Sequence, residues 1–218
     1  MSGEADRNRV MELVSELERA KNTPPVAIME SLLSIGQTAC ASLIELLEEI
    51  EPDEDDWTPF WAAIVLGEMR SEDAIPCLVK LLDLPEGDLL SEAAVESLAK
   101  IGMPALPALM EFAGKARSWE ARHYAYSAIG LIPSEESLRF LLAAIDRDAL
   151  LWSSIAMSLA DLGDKQVLPT LKILAANCDE REAPALKEAI EILEGRQPPY
   201  PRVHTQDWHI RYADILRA

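Results

Sequence analysis

Several kinds of residue are scarce in this chain of 218 residues, and each scarcity excludes something. There are three cysteines, Cys40, Cys77 and Cys178, an odd set without a CxxC pair. That excludes a disulfide framework or a paired zinc-ligand motif and favours a reducing compartment, so the cytoplasm is expected. Histidine is limited to His123, His204 and His209. Glu120 and His123 have a helical metal-ligand spacing, but the further pairs that a di-metal site needs are missing. His204 and His209 lie five apart, a poor ligand spacing on a helix. Basic residues number 20 against 38 acidic ones, a net charge of -18. A surface this acidic repels phosphate backbones, so nucleic acid is not an expected partner. No apolar run approaches the roughly 18 residues of a membrane span. The polar opening MSGEADRNRVMELV does not read as a secretory signal. No Gly-rich phosphate loop or nucleophile elbow occurs. No catalytic residue, metal or cofactor is therefore expected.

What is abundant is apolar residues in helical register. In Ser154–Leu174 the sets Ile155, Ser158, Leu159, Leu162 and Val167, Leu168, Leu171, Leu174 each fall on one helix face. Gly163 suits the left-handed residue that ends a helix, and Asp164 suits the cap that starts the next. The stretch reads as a helical hairpin with both stripes turned inward.

The same pattern recurs with a period of about 32 residues. The turn positions are Gly36, Arg70, Gly102, Pro133, Gly163 and Glu194. Four residues before them stand Leu32, Leu66, Leu98, Ile129, Leu159 and Ile190. Five before is a narrow column: Ser31, Val65, Ser97, Ala128, Ser158 and Ala189. Eight before come Ile28, Ala62, Ala94, Ala125, Ile155 and Leu186. In the second helices Leu43, Leu78, Leu109, Leu141 and Leu171 align, behind a small column of Ala39, Ala74, Ala105, Ser137 and Val167. Pro76, Pro107 and Pro169 stand early in three second helices, where a missing N–H costs least. Small residues beside large ones let stacked helices approach closely.

The phrases SLADLGDKQVLPTL, SLAKIGMPALPAL and VLGEMRSEDAIPCL resemble HEAT-like repeats of the type named after phycobilisome lyases. The resemblance covers roughly Thr23 to Glu194. It implies an all-α, right-handed α-solenoid of about six hairpins, with second helices lining a concave side. Arg70, Pro133 and Glu194 stand where such repeats usually carry Gly. HEAT-like metal oxygenases carry His-Glu dyads, of which this chain has none, and HEAT-like DNA glycosylases present a basic concave face. Here the corresponding outward positions are Glu45, Lys80 and Glu111. The expectation is a monomeric, non-enzymatic scaffold that holds a protein partner. The alternative implied by the resemblance is an accessory or lyase-like factor acting on a tetrapyrrole-bearing protein.

Three segments are expected: a capping helix over 1–22, the repeats over 23–195, and a tail over 196–218. The tail has four Arg against two Asp and an amphipathic end, with Trp208 and Tyr212 as anchors. It reads as a cap on the last repeat or a removable cover. From Glu48 to Asp56 seven of nine residues are acidic, including Asp53, Glu54, Asp55 and Asp56. The spacing lacks the alternating ligands and Gly of a calcium loop. With Asp83, Glu86, Asp88, Asp146, Asp148, Asp179, Glu180 and Glu182 this run predicts an acidic loop edge suited to a basic partner. Trp57, Trp119 and Trp152 follow these loops, as packing residues or as anchors for that partner.

Overall fold

The sequence breaks its helices with a small set of signals, and the computed structural model follows them. It describes residues 2–20, 23–49, 56–84 and 88–198. The chain divides into two compact units, residues 2–102 and 103–198 of the described part. Each is a stack of α-helices, twelve in all among the described residues, and no strand occurs among them.

The first unit opens with α1 (Ser2–Ala20). The hairpin α2 (Val26–Ile35) and α3 (Gln37–Glu48) follows, then α4 (Thr58–Glu68), the short α5 (Ile75–Lys80) and α6 (Asp88–Ile101). Helix α1 packs on α2 and α3, α3 on α4, and α4 lies along α6. Val10, Leu13 and Leu17 turn the inner stripe of α1 into this core. The second unit holds α7 (Leu106–Lys115), α8 (Trp119–Gly130), α9 (Glu135–Arg147), α10 (Trp152–Leu162), α11 (Leu168–Asn177) and α12 (Ala183–Glu194). Helix α8 lies along α10 and α10 along α12, with α7 against α8 and α11 against α12.

The repeat columns predict the core. All six residues four before the turn, Leu32 to Ile190, are buried, as is the small column from Ala39 to Val167. One column slips: α2 begins after Pro24-Pro25, and Met29 is buried where Ile28 was expected. The turns follow local chemistry. Gly36, Gly102, Gly163 and Gly195 have positive φ. In the last repeat, then, the left-handed residue is Gly195, because α12 runs through Glu194 before it ends. After α8 no residue is left-handed. A longer turn leads through Pro133 to Ser134, whose hydroxyl accepts from the Ser137 N–H at 3.0 Å and caps α9. Asp164 accepts from the Gln166 N–H, as its position implies. Arg70 is left-handed at φ 50 without being glycine, the one such residue among those described. That conformation costs a side-chain-bearing residue about 1–2 kcal/mol.

Stacking depends on two close approaches. A Cβ on Gly67 of α4 would lie 2.7 Å from the Ser97 Cα of α6. One on Gly130 of α8 would lie 2.7 Å from the Ser158 Cα of α10 and 2.8 Å from its carbonyl oxygen. Both serines belong to the narrow column. No single described helix is long and apolar enough to cross a membrane.

Candidate functional site

Second helices bury one stripe and leave the other outside, and in the first unit that outer stripe borders a groove. Thr38, Ala41, Ser42, Ile44, Glu45 and Glu48 of α3 face Arg7 of α1 across an open cavity of about 710 Å³. Ala41 and Ser42 are short, so the α3 side of the groove is low. Ile44 offers apolar surface and Glu45 an exposed carboxylate. Met11, one helical turn from Arg7 on α1, is 68% exposed. Lys80 of α5 approaches Glu48 at 3.9 Å, with both side chains at least half exposed.

The predicted outward residues are accordingly on the surface. Glu45 and Lys80 belong to this stripe. Glu111, in the second unit, is exposed and paired with Lys115 at 2.5 Å. The hydrogen bond from Lys115, then its charge, holds the Glu111 carboxyl below the usual range. Asp53, Glu54, Asp55, Trp208 and Tyr212 lie outside the described residues. Asp56 is exposed, and its carboxylate accepts from the Thr58 N–H at 2.8 Å at the start of α4.

In the second unit Asp146, Asp179 and Glu180 are exposed, whereas Asp148 departs from the expected acidic edge. Asp148 is buried and pairs with Arg122 at 2.5 Å. Arg122 also donates to the carbonyls of Ala116, Arg117 and Ser118, tying down the chain after α7. The hydrogen bond to Asp148 raises the guanidinium pKa further. Tyr126 donates to the same carboxylate at 3.3 Å; burial, then that negative charge, pushes its pKa up to about 12. Asp179 accepts from the N–H groups of Arg181 and Glu182, which hold its carboxyl low. Glu182 caps α10, accepting from the Ser153 N–H at 2.6 Å and from its hydroxyl. A loop acid beside a helix start meets unsatisfied donors, and that local need outweighs exposure.

The three tryptophans separate. Trp57 is half-buried in an aromatic cluster, 5.4 Å from Phe60 and 6.5 Å from Trp61 between ring centroids. Trp152 donates from Nε1 to the Ile145 carbonyl at 2.9 Å. Both are packing residues. Trp119 is 56% exposed and stays available. His123 sits with Nδ1 2.7 Å from the Ser154 hydroxyl, and burial lowers its pKa. Cys40 and Cys77 are buried, and burial pushes the Cys77 thiol up to about 11.

One cluster escaped the sequence reading. Lys100 of α6 is buried against Glu68 of α4, with Glu96 at 3.6 Å on its own helix. Two signals pointed to it. Glu96 and Lys100 are four apart on a helix, and Glu68 and Lys100 occupy the same column of adjacent repeats with opposite charge.

No curated protein significantly matches the chain. The family model for HEAT repeats matches residues 12–99, 41–122 and 106–194, which together span most of the sequence. Such repeats typically mediate protein–protein interactions. With stacked helical hairpins in both units and these matches, the chain belongs to the HEAT repeat family.

Proposed function

We propose that this chain is a non-enzymatic cytoplasmic scaffold that binds a protein partner along the outer stripe of its second helices. The observation that carries the reading is the α1–α3 groove. It joins the apolar surface of Ala41 and Ile44 to the carboxylates of Glu45 and Glu48. An amphipathic helix with an apolar stripe and a basic flank complements that combination. The net charge of -18 would speed its encounter, with a rate that falls as salt is added.

Ala41 is exposed, so Ala41→Trp fills the groove without entering the core. Proteins captured from native lysate by the natural chain and by this variant are compared by quantitative mass spectrometry. A partner retained by the first and lost with the second supports the reading, provided the melting temperatures agree. Identical captured sets would refute binding at the groove. For a captured partner, replacing Glu45 and Glu48 with Gln is expected to slow association and flatten its salt dependence.

A further inference from the structure

A second cavity of the first unit, about 490 Å³, opens between the α2–α3 turn and the turn after α4. It is separate from the groove in its lining residues. Gln37 Nε2 donates to Asp73 at 3.1 Å, and Cys40 Sγ lies 2.9 Å from the Ser71 hydroxyl. These two links join the hairpins across the cavity, so its walls are preformed. Leu33 and Met69 add half-buried apolar surface.

Arg70 is the unusual member of this lining. Glycine holds a left-handed turn without strain, as it does at Gly163 and Gly195. Its exposed guanidinium has neither an ion pair nor a hydrogen bond among the described residues. The neighbouring acids do not engage it: Glu68 holds Lys100 and Asp73 accepts from Gln37. Glu72 lines the cavity without reaching it. A strained backbone thus presents an uncommitted cation beside apolar surface, in a chain that is otherwise strongly acidic.

We infer that this cavity takes the free carboxyl terminus of a peptide whose last residue is apolar. The planar guanidinium matches a carboxylate with two parallel N–H donors. The terminal side chain lies on Leu33 and Met69. A single terminal carboxylate brings one negative charge to an acidic protein, which an acidic peptide would exceed.

The test titrates the isotope-labelled full chain with acetyl-Gly-Leu as the free acid, followed by NMR. The C-terminal amide and acetyl-Gly-Asp-amide serve as comparison probes. The free acid is expected to shift the backbone signals of Gln37 and Ser71 at millimolar concentration, with both other probes at least about tenfold weaker. Arg70→Gly should abolish the shifts while raising the melting temperature, so lost binding cannot be ascribed to unfolding. Glu72→Gln should tighten binding by removing a repelling charge. No shift, equal shifts with acid and amide, or binding retained by Arg70→Gly would overturn the inference. Equal binding of the Asp probe would overturn the assignment to a chain terminus. Weaker binding by Glu72→Gln would show that the cavity prefers a cation.

Discussion

Between α4 and α6 of the first unit a glycine, Gly67, meets Ser97; between α8 and α10 of the second, Gly130 meets Ser158. The backbones come equally near, but the polar groups around the two contacts differ. Ser97 donates across the contact to the Ala63 carbonyl at 2.8 Å, whereas Ser158 donates within its own helix to Ser154. The first pair encloses Lys100 with carboxylates, and side-chain exposure there is only 5% for Lys100 and 15% for Glu68. In the second unit the paired cation lies elsewhere in the repeat, near the start of α8: Arg122 is 20% exposed and is held by three carbonyls as well as Asp148. An arginine spreads its charge over several acceptors, while a buried ammonium concentrates it. The two units therefore enclose a cation in different ways, and they should fail differently.

The largest effect is expected from Lys100→Met. It leaves the Glu68 and Glu96 carboxylates without their cation, a change that typically costs about 3–5 kcal/mol. Thermal and urea unfolding would measure it, and part of the loss should return on acidification as a carboxylate takes up a proton. A neutral outcome would mean that water or movement already relieves the cluster.

Next come Gly67→Ala and Gly130→Ala, each expected to destabilise by about 1–3 kcal/mol through overpacking. Gly130→Ala should be the worse, because its added methyl meets a backbone carbonyl as well as Cα and Cβ. The gain in helix propensity, about 1 kcal/mol, works against the loss. If both variants were stabilised, the helices could separate at little cost, and the comparison of close contacts would fail.

A smaller change is expected of Glu182→Ala, about 0.5–2 kcal/mol, the usual range for a lost helix cap. Amide hydrogen exchange should locate it at the start of α10. Uniform acceleration throughout the second unit would instead indicate a general loss of packing.

The smallest effect concerns pH. Burial lowers the His123 pKa, so the folded protein favours the neutral ring. Its contribution to stability is present above the unfolded value near 6.5 and is lost as pH falls from there through the folded value. The natural chain should consequently lose more melting temperature than His123→Gln between pH 7.5 and 5, by a margin read from paired melts. Parallel losses would remove His123 from the pH response.

The apolar columns were legible because burial of Leu66, Leu98 or Leu159 repeats with the period and needs no knowledge of a neighbour. Charged groups were harder to place. Asp148 looked like another loop acid, and only the position of Arg122 on α8, one helix further back than α9, explains its burial. Lys100 looked like an ordinary charged helix residue until Glu68 was placed beside it. The outward placement of Glu45 and Lys80 followed from helix phase, whereas the groove depends on how α1 lies against α3, which periodicity does not encode. Trp57 and Trp152 shared with Trp119 a position after a loop, yet local partners packed the first two and left the third exposed.

The cap that Glu182 places on α10 also has a consequence in time. The Ser153 N–H receives its carboxylate from 29 residues further along the chain. On a ribosome adding about 5–20 residues per second, that acceptor is made roughly 1.5–6 s after the donor. Until then the start of α10 depends on water. The nascent helix is thus finished from its C-terminal side, and a pause in translation before residue 182 would prolong its exposure to proteases and chaperones.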